Sequence, residues 1–441
     1  MSTLPGLFDD TPLPCETKAK TGQQLYREAC LKNLTHPIFN LDPPPELRGE
    51  RRIILNCETT GLKWWDSDRP IGWSYWLPES GRSGYLPMRH QGGGNLDVGQ
   101  VHDWLRHEIR NVQIYNTNIK FDLHMARADG VDLTEQGCTF GDVAHVVALL
   151  DDPRRRFRLA ELSKALLAWD VGDAVIPKEI TGEGEFQFLH SVRVAPYAIR
   201  NVEQVRRLIE YTAPRLAEEH LLDVQALEQA IIPVVVEMEK NGTFLDIELL
   251  GAWRIQARKD LEAKLWFIRK TSGVNVESPD SPKAIEALFK ARGIPFTAFT
   301  GRKKANNEDR PSFTDAVLRN INDECVQALR IAGNLADLDS KYLSKYWKAI
   351  RSDGWLRFNL HQLKSIKGEG DYGGTVSGRF SAAGDKFGGY NPQQVVAVEK
   401  QLERGWCPDY VVRKLFKLNV AADMAQVEYR MFAHYANDPK I

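Results

Sequence analysis

Three short stretches carry side chains whose type and spacing could do chemistry. In Asn56-Cys57-Glu58-Thr59-Thr60-Gly61-Leu62, positions 56 and 58 follow the apolar run Ile53–Leu55. Side chains two apart at the end of a strand point to one face of a sheet. Two acids there would make half of a divalent-metal site, because a hard cation such as Mg²⁺ takes carboxylate oxygens. Here the first of the two is an amide. Asn118-Ile119-Lys120-Phe121-Asp122 supplies another carboxylate, and Tyr197-Ala198-Ile199-Arg200-Asn201 sets a phenol and an amide four apart. That spacing places both on one helical face. Each stretch taken alone also reads as a cap or a surface polar group; the weight comes from finding all three in order along one chain. A further acid, Asp423, ends the apolar run from Leu418 and precedes a helical pattern that begins near Ala425. That arrangement can present a carboxylate to a cation, and it is equally a plain helix N-cap.

The elements that must position these groups follow from periodicity. Ile53–Leu55, Ile71–Leu77 and Ser83–Met88 read as strands separated by Gly, Pro and Asp turns. Val101–Ile109 reads as a short amphipathic helix, Val112–Asn116 as a strand, and Val143–Leu150 and Leu159–Trp169 as helices. A meander followed by alternating helices and a strand predicts a mixed α/β layer fold. From Val202 the chain turns helical, with Pro214 and Pro233 as expected breaks and Asn241-Gly242 as the stop. Further helices are expected at Ile247–Thr271, Lys283–Arg292, Thr314–Asn320 and Val326–Ile350. On the last of these, Lys341, Lys345 and Lys348 recur at i, i+4, i+7, with Tyr342, Tyr346 and Trp347 nearby. Such a stripe is either a solvated face or a track for nucleic-acid phosphates. Residues 1–48, rich in Pro and acids, read as an extended arm with one short helix near Gln23–Leu31.

Composition bounds the class without choosing the function. The 441 residues are 43% hydrophobic and 27% charged, as in a globular protein. The formal net charge of −1 makes no case for nucleic acid by itself, so that case rests on local clusters. No apolar run is long enough to span a bilayer, and the first residues show no signal-peptide pattern, so no membrane partner is expected. Six scattered cysteines without CxxC spacing suggest neither a zinc site nor a disulfide framework, and fit a reducing cytoplasm.

In order, the three stretches resemble the exonuclease motifs of family A DNA polymerases, of the bacterial polymerase I type and its phage counterparts: D-x-E-T-T-G-L, N-x-K-F-D-L and Y-x-x-x-D. Later segments resemble the same family. These are Met238–Asp246, Ser278–Pro295, Gly373–Val396 (similar to T-G-R-L-S-S-x-x-P-N-L-Q-N-I-P, with an insertion) and Leu418–Arg430 (similar to D-Y-S-Q-I-E-x-R). The resemblance spans residues 50–441. It implies an N-terminal extension at 1–48 and an RNase H-like (DnaQ-type) 3′–5′ proofreading exonuclease at 49–212. The polymerase domain with its mostly helical thumb would then start at 213–352, and a partial palm would occupy 353–441. In the exonuclease, four carboxylates would hold two Mg²⁺ ions (Mn²⁺ as a substitute), with Tyr197 orienting the attacking water and Asn118 contacting DNA. Glu58 and Asp122 match; Asn56 and Asn201 stand where carboxylates are expected. Each amide removes one negative charge beside the cation, so proofreading is expected to be disabled with the fold intact. Deliberate replacement and natural loss both remain open.

In the polymerase part, the resemblance implies that Asp423 and the Met424 carbonyl bind metal and that Gln426 and Glu428 meet the incoming dNTP, with Glu428 excluding a 2′-hydroxyl. Arg379, Asn391, Gln394, Lys341 and Lys345 would lie along primer–template DNA. Met424 and Ala425 replace the usual Tyr-Ser. The family's fingers helix and the His-Asp-Glu strand that carries the second palm carboxylate have no counterpart in these 441 residues. One acid cannot hold two metals, so the chain by itself is not expected to polymerise. A shortened sequence, a split polymerase with a second polypeptide, and an interrupted one each explain this. On the split reading, the alternative function is a non-catalytic DNA-end-binding subunit.

Overall fold

The computed structural model describes residues 41–151, 156–169, 186–303, 309–351, 354–363, 379–383, 390–403 and 405–417. Strand β1 (Arg52–Thr59) carries a fully buried run: Ile53, Ile54 and Leu55 are each at most 2% exposed. A run buried on successive residues has both faces covered, which is the signature of a central strand. The sheet order is β3-β2-β1-β4-β5, with β2 (Pro70–Leu77), β3 (Arg82–Pro87), β4 (Gln113–Asn116) and β5 (Thr139–Asp142). β1, β2 and β3 pair antiparallel, whereas β4 and β5 continue the sheet in parallel. Trp73, Leu77, Leu86 and Ile114 fill its core beside helix residues Val101, Leu105 and Leu123. Fully burying a side chain of this kind stabilises by about 1.5–3 kcal/mol.

Helices α1 (Val98–His107), α2 (Ile119–Ala128), α3 (Val143–Leu150), α4 (Leu159–Leu167) and α5 (Ser191–Glu218) complete the layers. Asp97 and Asp142 cap α1 and α3 by accepting the N–H groups of Gln100 and Ala144. α5 packs on β1, β2 and β3 through a stripe that includes Val194, Ala198, Val202, Val205 and Leu208. That stripe explains why the expected break at Pro214 does not occur. α5 runs through Pro196 and Pro214, and Thr212 and Leu216 stay buried on either side of the second. Burial outweighs the roughly 3 kcal/mol that an interior proline costs. The break comes instead at Glu219–Leu221, where His220 takes φ 58°. α6 (Leu222–Asn241) likewise continues through Pro233.

The chain divides into two compact units, Met1–Val236 and Glu237–Ile441. Ile232 and Val236 belong to the core of the first. In the second, α6 ends at Asn241 and Gly242 (φ 64°) turns into β6 (Thr243–Leu245). A Cβ at Gly242 would stand 2.6 Å from the Leu356 carbonyl oxygen, so only glycine fits that turn. Helices α7 (Ile247–Ser272), α8 (Pro282–Ala291), α9 (Asp315–Leu318), α10 (Glu324–Leu338) and α11 (Ser344–Ala349) follow, with the hairpin β7–β8 (Phe299–Lys303, Asp309–Pro311). The single helix expected over Val326–Ile350 is instead α10 and α11 joined by a π-turn, Asp339–Leu343. Arg258 of α7 pins that turn through Asp339 (3.1 Å) and Ser344 (3.0 Å). Small sheets pair β6 with β9 (Trp355–Leu356) and β12 (Phe416–Lys417), and β10 (Asn359–His361) with β11 (Ser381–Ala383). No helix among the described residues is long and apolar enough to cross a membrane.

Candidate functional site

β1 and β4 pair in parallel only as far as Ile54 and Tyr115, and a register shift at Glu58/Thr59 turns the end of β1. Such irregularities re-aim side chains. Asn56, Glu58 and Asn116 therefore stand where the strands end. α2 approaches through a tight turn in which Asn118 holds a left-handed φ of 58°. Asp142 braces that turn by accepting the Ile119 N–H. One helical turn later, Asp122 meets the backbone of β1: its Oδ1 accepts the Cys57 N–H at 2.8 Å. α5 brings Tyr197 and Asn201 to the same place.

The resulting pocket is a continuous polar chain. Asn116 Nδ2 donates to Asp122 Oδ2 (2.7 Å) and to Asn56 Oδ1 (3.1 Å). Asn56 Nδ2 and Asn201 Nδ2 both donate to Glu58 Oε1 at 3.3 Å. Burial, then the charge of Asp122, pushes the Glu58 carboxyl up to about 8, against the two amide donors. Burial pushes Asp122 up to about 7, opposed by the donors at Cys57 and Asn116. Burial also raises the Tyr197 phenol to about 12, while Phe186 covers its ring edge-on at 5.2 Å.

The structure thus brings together Asn56, Glu58, Asp122, Tyr197 and Asn201, and it seats Asn118 in the turn that delivers Asp122. Sequence reasoning missed Asn116, which is 1% exposed. Its only signal was a polar residue closing an apolar strand. These residues do not fit a pair of divalent cations. Two carboxylates with raised proton affinity face neutral amides, and both Asp122 oxygens already take N–H donors. Among the described residues, no group of three or more His, Cys, Asp or Glu side chains could hold a metal.

In the second unit, the π-turn and α11 face the segment that follows β11 across a cleft of ≈ 460 Å³. Lys341, Tyr342 and Lys345 line one side, and Tyr390, Asn391 and Gln394 the other. Lys348 is not among the lining residues. Tyr342 donates to the Gln394 carbonyl at 3.1 Å. Asn391 is occupied locally: its Nδ2 bonds the Ala382 carbonyl and its Oδ1 accepts the Gln393 N–H. Lys341 is exposed and paired with Asp337 at 2.6 Å. Arg379 is exposed just ahead of β11. Asp423, Met424, Gln426 and Glu428 lie outside the described residues.

A scan against protein-family models found no match. The chain is similar to DNA polymerases over about nine tenths of its length. It is 25% identical to "DNA polymerase DpoZ" of Acinetobacter phage SH-Ab 15497 over 416 residues, covering 90% of this chain and 64% of that one. It is 23% identical to DNA polymerase I of Pseudomonas aeruginosa over 409 residues, covering 88% of this chain and 41% of that one. The chain therefore spans less than two thirds of either relative. In fold it is similar to the Pol1 polymerase domain of M. smegmatis, solved with DNA primer-template and dNTP. That likeness has a TM-score of 0.59 at 16% identity, over 89% of this chain and 60% of that one.

Proposed function

We propose that this chain is the exonuclease, thumb and partial-palm portion of a family A DNA-directed DNA polymerase, with a 3′–5′ proofreading site that no longer cuts. The observation that carries it is continuity: one phage polymerase aligns with 416 residues, through both units. The sheet order β3-β2-β1-β4-β5, antiparallel then parallel, supports an RNase H-like first unit. The pocket at the end of β1 supports a disabled metal site, since its four expected metal positions are two acids and two amides. A working site of this class would use two divalent cations to stabilise the attacking and leaving oxygens. Here Glu58 and Asp122 would be the surviving ligands, and too little charge faces them. The cleft at Lys341, Lys345 and Gln394 supports contact with the phosphates and groove of a primer–template, with dNTPs as the substrate at Asp423.

The test has two parts. The chain should bind a primer–template duplex with salt-sensitive affinity and leave a 3′ single strand intact in Mg²⁺. The variant Asn56→Asp/Asn201→Asp should gain metal-dependent 3′–5′ cleavage. Failure to gain it removes the nuclease assignment, and failure to bind the duplex removes the polymerase one. A second reading, a DNA-end-binding subunit without chemistry, is favoured by the hydrogen-bond satisfaction of the pocket. Preferential binding of frayed 3′ ends over blunt duplex would support it.

A further inference from the structure

We propose that the pocket at the end of β1 is held together by its own amides in place of cations, with Asn116 as the positioning residue that ties Asp122 to Asn56. This deepens the reading above and rests on it only for the origin of the pocket.

Asn116 ends β4, fully enclosed, between two partners on different elements. One Nδ2 reaches both Asp122 on α2 and Asn56 on β1. Asn56 passes the connection on to Glu58, whose same oxygen also takes Asn201 on α5. The order Asp122, Asn116, Asn56, Glu58, Asn201 links β1, β4, α2 and α5 donor to acceptor without a break. Carboxylates only accept, whereas an amide both donates and accepts. Two ionised acids therefore need donors between them, and in this pocket the amides supply those donors. Asn56 does this directly: its oxygen takes Asn116 and its nitrogen gives to Glu58. With both acids ionised, a carboxylate at 56 could still accept from Asn116 but could not donate to Glu58, and the chain would part there. Bridging the two halves would then fall to a cation. In a buried network, full satisfaction rigidifies, while a half-satisfied set is worse than an apolar one. Asn116 is the one member with two acceptors, so its loss strands both ends.

Asp122 also supplies a local reporter. The Cys57 N–H donates to Asp122 Oδ1 at 2.8 Å, so its hydrogen exchange reads whether Asp122 is held. The experiment uses the full chain and its variants Asn116→Ala and Asn116→Asp, each melted in chelator and in millimolar Mn²⁺, with site-resolved hydrogen exchange. The parent should melt at the same temperature in both buffers. Asn116→Ala should speed exchange at Cys57 by about 10–100-fold, the equivalent of stranding one buried charged acceptor. Exchange at Tyr75, in the middle of β2, should not change. Asn116→Asp keeps the shape but replaces the donor by a third acid, so it should melt lower in chelator and recover in Mn²⁺. Stabilisation of the parent by Mn²⁺, or Cys57 exchange in Asn116→Ala within two-fold of the parent, overturns the proposal. If Asn116→Ala does not fold, Asn116→Asp decides: recovery in Mn²⁺ supports the proposal and no recovery overturns it. Should the nuclease reversion fail while these outcomes hold, the nuclease origin falls and the amide linkage stands.

Discussion

Reverting both amides, Asn56→Asp with Asn201→Asp, should destabilise the chain sharply unless a divalent cation is supplied. In the parent, both amide nitrogens donate to Glu58 Oε1 at 3.3 Å. A hydrogen bond to a charged group contributes about 1.5–3 kcal/mol, so losing two costs about 3–6 kcal/mol. The new carboxylates would also repel Glu58. At 3.3 Å and an effective dielectric near 20, one such pair costs about 5 kcal/mol, an upper limit that relaxation or proton uptake reduces. For a unit of this size each kcal/mol moves the midpoint by about 2–4 °C, so the hydrogen-bond loss alone lowers it by about 6–24 °C. Thermal melts of parent and variant at pH 8.5, in chelator and in millimolar Mn²⁺, check this. The variant should melt low in chelator and recover in Mn²⁺, while the parent stays unchanged. At pH 5.5 the gap should narrow, because Glu58, raised to about 8, then carries its own proton. A variant that melts within about 2 °C of the parent in chelator, with no response to Mn²⁺, would refute the charge argument.

The same two acids set a pH trend. Their folded values, about 8 for Glu58 and about 7 for Asp122, lie above the ordinary carboxylate range, so the folded state holds their protons more tightly. Their contribution is complete below about pH 4 and is lost as pH rises through about 8. Urea midpoints should therefore fall from pH 5 to pH 8.5, and Glu58→Gln should flatten the fall; a steeper fall in that variant would contradict the assignment. At the second unit's cleft, Lys345→Ala should weaken duplex binding and reduce the slope of log K against log salt by about 1. Lys341→Ala should reduce the slope by less than about 1, because Asp337 partly neutralises that lysine. An unchanged slope in both variants would place the duplex elsewhere. Gly242→Ala should lower the melting temperature, by at least the equivalent of about 1 kcal/mol, since φ 64° and the Leu356 carbonyl at 2.6 Å both oppose a Cβ. Gly333→Ala, in mid-α10 with nothing within 4 Å, should instead stabilise by about 0.5–1 kcal/mol.

The elements that carry the pocket were legible because each has a local cause. The apolar run at Ile53–Leu55, the turn residues around β2 and β3, and the i, i+4 pair Tyr197/Asn201 are visible without tertiary knowledge. Pro214 misled because its cost is local while the compensation, burial of the α5 residues Thr212 and Leu216, is not. The π-turn at Asp339–Leu343 left no sequence mark, and it interrupts the single helix on which the three lysines were expected to form one stripe. Asn116 was invisible for a different reason. Its role depends on a parallel pairing between β1 and β4 that brings residues 60 positions apart into contact.

That long-range pairing bears on how a site could lose its charge and keep its shape. Burying an unpaired carboxylate costs several kcal/mol, and a metal site meets that cost only while the cation is bound. Exchanging two of four carboxylates for amides removes two buried charges and adds donors for those that remain. The apo pocket becomes more stable as it becomes less able to bind metal, so fold stability gives no pressure against the change. The exchange works where each surviving acid has donors once the charges are gone. Asp122 has two, the Cys57 N–H and Asn116, and Glu58 acquires its donors from the very residues that changed. On this argument the order of loss matters. A single change at 56 alone joins Glu58 to Asn116 through one amide, whereas a single change at 201 leaves Asn116 facing two acids. Of the two single reversions, Asn201→Asp should therefore melt higher in chelator than Asn56→Asp.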